Sequence, residues 1–290
     1  MDISYKYVDS DLLLKKVNKE IAQSSIICFD TEYDSYRFFR EKLCLIQLKT
    51  DSVNYVIDPL ARLDISILNP HFANKNISKV VHAGENDIKL LKRDYGINFA
   101  NIFDIQVAAK LLQMKKLSLY SLIDNYLGIK NTKNIKVQRS NWHKRPLSKE
   151  QITYAVNDIE YLPALYKHLK ILLTKDNLNS KAENAFNKLS DVAWKEKEFV
   201  PHSQFNRLVR KEKVNEQSKR KIMNMLRWRF NKAKRTNIAM FMIISDKHIL
   251  KITKANFKTI KELEASKIIP KSVFNRHGSE IYSILKEKNK

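Results

Sequence analysis

The period of the apolar residues changes along this chain, and that change limits the available folds more than any single motif does. Ile, Val, Leu, Phe and Tyr crowd into short runs over residues 25–30, 43–49 and 53–57, lengths that suit strands. They read as a meander. Residues 64–73 then take helical spacing, 78–82 read as another strand, and Gly84 opens a helix that runs to Gly96. On that helix Ile88, Leu91 and Tyr95 share one face, and Gly96 suits the left-handed residue just past a helix end. A short strand at 101–103 precedes helices over 104–113, 118–127 and 148–172. Strands first, alternation next and helices last predict an α/β fold, a mixed sheet covered by helices. Residues 130–147 read as a polar loop, long enough to suggest a role of its own.

Beyond a helical connector at about 177–198, Phe199-Val200-Pro201 marks the expected boundary, and from Asn215 to Ile284 the pattern is compact and helical. Ile222, Met225, Leu226 and Phe230 form one apolar stripe, followed by short helices near 246–253, 257–264 and 270–286. The expected division is a first domain over 1–175, a connector over 176–205 and a small all-α domain over 206–290.

Charge follows the same division. The chain holds 54 Lys and Arg against 31 Asp and Glu, a net charge of +23. Residues 1–100 are balanced at 14 of each, whereas residues 101–150 hold 10 basic against 3 acidic and residues 201–290 hold 23 against 7. Such asymmetry is expected of a surface that binds a polyanion. A genome rich in Lys codons is the competing explanation, but it would not leave the first hundred residues neutral. No run of 18 apolar residues is present, and Met1-Asp2-Ile3-Ser4-Tyr5-Lys6 lacks the basic start and apolar stretch of a secretory signal. A soluble, cytoplasmic, monomeric protein with no membrane partner is the expectation. Cys28 and Cys44 lie in apolar runs and read as buried hydrophobes, not as ligands or nucleophiles.

Three acidic signatures carry the chemistry. Asp30 and Glu32 stand two apart at the end of an apolar strand, so both side chains point to one side of the sheet. Their repulsion calls for a cation, and hard oxygen ligands select Mg²⁺ or Mn²⁺ over zinc. Asp87 falls in the first turn after Gly84, where the helix dipole alone would also favour a carboxylate; Glu85 is the alternative ligand at that turn. Tyr154 and Asp158 are four apart on a predicted helix and share its face.

Phe29-Asp30-Thr31-Glu32 with Leu43-Cys44-Leu45-Ile46-Gln47-Leu48, the His82-Ala83-Gly84-Glu85-Asn86-Asp87 segment, and Trp142-His143-Lys144-Arg145-Pro146-Leu147-Ser148 leading to Tyr154 and Asp158 resemble the three exonuclease motifs of ribonuclease D. That family belongs to the DEDD 3′-5′ exonucleases of the tyrosine subclass, and the resemblance implies a ribonuclease H-like fold. It also implies metal-binding roles for Asp30, Glu32, Asp87 and Asp158, two divalent cations, and a water-orienting role for Tyr154. The implied activity is a 3′-5′ exoribonuclease on RNA, with transfer RNA precursors the implied substrate. A DNA-directed exonuclease and a nucleic-acid-binding protein with an inactive nuclease fold are the alternatives. Leu226-Arg227-x-Arg229, Ile244-Ser245-Asp246 and Glu262-Leu263 resemble, more loosely, the helicase-and-ribonuclease-D C-terminal domain.

Phosphate contact is expected of Lys133, Lys136, Arg139, Lys144 and Arg145 on the long loop, with a solvated loop as the alternative. Arg227, Lys232, Lys234 and Arg235 are candidates in the tail. Tyr33 either stacks on a terminal base or belongs to the core. His82 reads as a hydrogen-bonded structural residue, and Trp142, Trp194 and Trp228 read as packing anchors.

Overall fold

The computed structural model describes residues 3–130, 134–210 and 214–286. The chain divides into two units, Met1–Asp34 with Lys42–Lys195, and Ser35–Glu41 with Glu196–Lys290. A short segment between two strands of the first unit thus belongs to the second.

The described residues of the first unit form one sheet from β1 (Lys6–Val8), β2 (Ile26–Asp34), β3 (Lys42–Lys49), β4 (Asn54–Ile57), β5 (Ser78–Val81) and β6 (Ile102–Asp104), in the order β1-β4-β3-β2-β5-β6. Strands β2, β3 and β4 are the expected antiparallel meander, while β1 joins β4, β5 joins β2 and β6 joins β5 in parallel. The sequence ends the first long strand at residue 30, but β2 runs on to Asp34. Its polar end stays in the ladder because β3 supplies partners, Gln47 opposite Asp30 and Leu45 opposite Glu32, up to a bulge after Glu32.

The two faces of β2 feed two cores, as the two-residue side-chain period requires. Ile27 and Phe29 pack with Leu14 and Val17 of α1 (Asp11–Ile21) and with Ile88 and Leu91 of α3 (Glu85–Tyr95); α2 (Asn69–Phe72) adds Phe72. Ile26 and Cys28 face the other way, toward α4 (Ile105–Leu111), α5 (Leu119–Leu127) and α8 (Leu162–Lys175). Phe29 is clasped by Phe72 and Phe99 at ring-centroid distances of 5.1 and 5.6 Å, so truncating it to Ala should cost about 3–5 kcal/mol. The helix expected over 148–172 is two helices: α6 (Ile135–Gln138) adds one turn within the loop, α7 (Lys149–Glu160) follows, and Pro163 lies in the opening turn of α8. Proline has no N–H to continue the preceding helix, which explains the break at Tyr161. The expected connector helix is shorter, α9 (Asn179–Ser190).

The second unit is helical: α10 (Pro201–Val209), α11 (Glu216–Thr236), α12 (Met240–Ile243), α13 (Asp246–Lys254), α14 (Ile260–Ala265) and α15 (Lys271–Lys286). The predicted stripe of Ile222, Met225, Leu226 and Phe230 is its core, with Ile249, Ile252, Leu263 and Ile281. Phe39, from the segment Ser35–Glu41, sits in the same core edge-on to Phe230 at 5.2 Å. Arg229 is buried there and donates to Ile244 O at 3.0 Å and to Asp246 Oδ1 at 2.7 Å.

Candidate active site

Strand parity and helix period together build an acidic cluster. Asp30 and Glu32 continue the face of β2 that begins with Ile26 and Cys28, so they emerge just past an apolar core. Helix α7 is pinned at both ends. Ser148 and Gln151 form a reciprocal capping box at its start, and Glu160 at its end accepts from Lys49 Nζ at 3.1 Å and Asn54 Nδ2 at 2.7 Å. Between these anchors Asp158 is presented to the strand end. One carboxylate oxygen from each of Asp30, Glu32 and Asp158 lies within 4.8 Å of the others, with Asp158 buried and the other two half-buried.

Asp87 reaches the same neighbourhood from the opposite face. Helix α3 packs on the core that Phe29 shares, and Thr31, pointing to that side, donates its hydroxyl to Asp87 Oδ1. Asp87 therefore stands outside the three-carboxylate cluster, but its charge is felt within it. The turn that delivers Asp87 is held by a residue the sequence reading passed over. Asp104 is buried and accepts from Ala83 N at 3.1 Å and Gly84 N at 2.9 Å, while capping α4 through Gln106 N and Val107 N. Gly84 is required because a Cβ there would lie 2.6 Å from the Val81 side chain. Asp104 as an N-cap before an apolar helical run was the readable signal. Glu85, the alternative ligand, pairs with Lys89 on the exposed side of α3.

Electrostatics set this cluster apart. Burial, then the charges of Asp87, Asp158 and Glu32, push the Asp30 carboxyl well above the usual carboxylate range. Burial pushes Asp87 up to about 6, against the opposing hydrogen bond from Thr31. Concentrated carboxylates that resist ionisation are the electrostatic complement of a multivalent cation, and their oxygens are the hard donors that suit a divalent one.

Tyr154 lies one turn before Asp158 and packs in a core with Trp142, at 6.1 Å between ring centroids. Burial and the neighbouring charge of Asp158 raise its phenol, which stays protonated and able to donate. Tyr120 of α5 was not singled out from the sequence. Its hydroxyl donates to Asp158 Oδ1 at 2.9 Å, and with Tyr154 and Asn157 it lines a concavity of about 330 Å³. Nothing in the local sequence announces this, because the two partners are 38 residues apart.

The basic candidates separate. Arg145 makes no use of its charge at the surface: Nε and Nη2 bind Asp58 at 2.5 and 2.7 Å, Nη1 donates to Trp142 O and Lys144 O, and Nη2 also reaches Cys44 O. All five donors are taken, so the expected phosphate contact gives way to a clamp that holds the loop on the sheet. Lys136, Arg139 and Lys144 are exposed, and Lys133 lies outside the described residues. In the second unit Lys232 pairs with Glu280 and Lys234 with Glu196, whereas Arg227, over the Phe199 ring, and Arg235 are exposed. Tyr33 packs against the first core with its hydroxyl buried, which favours the core alternative over base stacking. His82 Nε2 lies 2.8 Å from Leu117 O, and Trp142 is buried with its indole N–H on Gln138 O.

The model of the 3′-5′ exonuclease family matches residues 5–174, and that of the HRDC domain matches residues 222–285. Among curated proteins, Protein RRP6-like 3 of Arabidopsis thaliana is 36% identical over 182 residues, 61% of this chain and 20% of that protein. Exosome complex component 10 of Mus musculus is 28% identical over 246 residues, 82% of this chain and 28% of that protein. The chain thus spans less than a third of the length of these relatives. The catalytic core of RRP6 from Trypanosoma brucei superposes with a TM-score of 0.88 at 22% identity, covering 98% of this chain and 79% of that one. RNase D of Escherichia coli, an exoribonuclease involved in structured RNA processing, gives 0.70 at 21% identity over 98% of this chain and 75% of that one. These two likenesses speak to fold. The family match over more than half the chain, laid on motif positions that the structure gathers around one strand end, makes the chain a member of the 3′-5′ exonuclease family, followed by an HRDC domain.

Proposed function

We propose that this protein is a metal-dependent 3′-5′ exoribonuclease that hydrolyses the last phosphodiester of an RNA strand and releases a 5′-mononucleotide. The observation that carries this reading is the convergence of Asp30, Glu32 and Asp158 with Tyr154 one turn away. Asp30, Glu32 and Asp158 would hold the cation, Mg²⁺ or Mn²⁺, with Asp87 available for a second. When bound, such ions supply Lewis acidity at the scissile phosphate and make water a stronger nucleophile.

The chain's own residues do the rest. Tyr154, a neutral phenol, donates to and orients the attacking water rather than removing its proton. Thr31 keeps the Asp87 carboxylate turned toward the strand, and the clamp between Arg145 and Asp58 fixes the loop that precedes α7. Lys136, Arg139 and Lys144 meet the phosphates of the incoming strand. RNA is preferred over DNA as substrate because relatives are named as an exosome component and an exosome exonuclease. Those names favour exosome-type RNA trimming at least as much as maturation of transfer RNA precursors.

A 3′-labelled RNA oligonucleotide, with a free or blocked terminal hydroxyl, tests the reading in Mn²⁺ and again in chelator. Label leaving as mononucleotide, stopped by the block and by the chelator, is expected. Equal rates on matched RNA and DNA would remove the RNA preference, and a transfer RNA precursor beside an unstructured RNA separates the two substrate classes.

A further inference from the structure

Asp158 faces the carboxylate cluster with one oxygen already engaged. Its Oδ1 accepts from Tyr120, the half-buried tyrosine in the first turn of α5. The mounting of that tyrosine is rigid. Ser118 caps α5 by accepting from Ser121 N, Gly128 closes it in the left-handed conformation, and Leu119, Leu122 and Ile123 bury the adjoining face in the second core. A carboxylate otherwise turns broadly about its last torsion, so a fixed donor on one oxygen selects a single orientation for the pair.

We infer that Tyr120 is a positioning residue: its hydroxyl holds Asp158 in the orientation that completes the cation site formed with Asp30 and Glu32. This rests on the nuclease reading above and adds to it a residue outside the three motifs. The neighbouring aromatic groups divide the work. Tyr154 stands on the helix of Asp158 and acts on the reacting water, whereas Tyr120 comes from a different helix and acts through the carboxylate. Both residues line the same concavity of about 330 Å³.

Partners that orient a metal ligand from behind usually account for 10- to 100-fold in metal affinity or activity. The test therefore uses Tyr120→Phe, which keeps the ring and removes only the hydroxyl. Mn²⁺ alone is titrated into the full chain by calorimetry and by the loss of the free-ion spin-resonance signal, without RNA. The dissociation constant for Mn²⁺ should rise by roughly 10- to 100-fold in Tyr120→Phe. In single-turnover trimming the Mn²⁺ midpoint should rise by the same factor, with most of the rate recovered at saturating Mn²⁺.

Tyr154→Phe is the contrast: it should lower the saturated rate and leave the midpoint near that of the wild type. A Tyr120→Phe protein with unchanged Mn²⁺ affinity and midpoint overturns the inference. So does one whose saturated rate falls while its midpoint stays. Thermal melting in chelator separates a folding defect from either result, and Tyr120→Leu, which removes the ring together with its hydroxyl, should repeat the affinity loss. If the wild type binds Mn²⁺ at these carboxylates but trims nothing, the nuclease reading fails while the role of Tyr120 stands.

Discussion

Two acidic centres of the first unit, built from the same carboxylate chemistry, have opposite characters. At Asp58, burial alone would raise the carboxyl, but hydrogen bonds from Arg145 and Tyr7 and the guanidinium charge outweigh it and hold the group below its usual range. At Asp30, burial and three neighbouring acids act in one direction and drive the group upward. The first centre is neutralised within the protein and fastens a loop to the sheet. The second sets acids against one another, a destabilising arrangement that makes physical sense where an external cation completes it. Charge paired with a guanidinium maintains architecture; carboxylates crowded against one another offer a place for a cation.

Substitutions that neutralise each centre should sharpen that contrast. Asp158→Asn should cut trimming to below roughly one-thousandth, the scale seen when one member of a catalytic unit is removed. It should at the same time raise the melting temperature in chelator, because one repelling charge is gone. A variant that trims normally, or melts lower, breaks the comparison on this side. Arg145→Met leaves Asp58 buried without its cation and should lower unfolding free energy in urea by about 3 kcal/mol. If it leaves stability unchanged and weakens RNA binding, the clamp is not structural and the phosphate-contact reading returns.

Acid should act on the centres with opposite sign. Asp58 has a depressed folded pKa, so its contribution is present above the ordinary carboxylate range and fades as the pH falls. Asp87, raised from 3.8 to about 6, contributes fully below about 4, and that contribution is lost as the pH rises through 6. In chelator, Asp87→Asn should therefore decline less than the wild type between pH 4 and 7; parallel stability curves would sink this assignment. The smallest effects belong to the exposed loop cations. Lys136→Ala, Arg139→Ala and Lys144→Ala should each weaken RNA binding modestly and flatten its dependence on log salt by about 0.7 per lost contact.

Much of the centre was legible because strand and helix periods are local. Two acids at spacing two, and a tyrosine and an acid at spacing four, declare a shared face wherever they occur. The apolar stripe of α11 was legible for the same reason. What stayed hidden depends on partners distant in sequence: Tyr120 against Asp158, Asp104 beneath the turn at Gly84, and Asp58 consuming Arg145. The extension of β2 to Asp34 was invisible because its polar residues are kept in line by β3, not by their own preference. Strand β1 and helix α1 were missed because three residues and a polar-faced helix give little signal.

The segment Ser35–Glu41 has a consequence for dissecting the protein. Phe39 is 3% exposed within the helical unit, and the backbone around it bonds to Asn237 and Ala239. Cutting the chain after Lys195 would strip this phenylalanine of its cover and leave a greasy hairpin tip only five residues past Asp34. A truncated protein that aggregates or loses activity would then report a wounded hairpin, not the loss of whatever the helical unit contributes. Point changes on exposed tail residues such as Arg227 and Arg235 leave that seam intact, and they are the means by which the contribution of the helical unit can be measured.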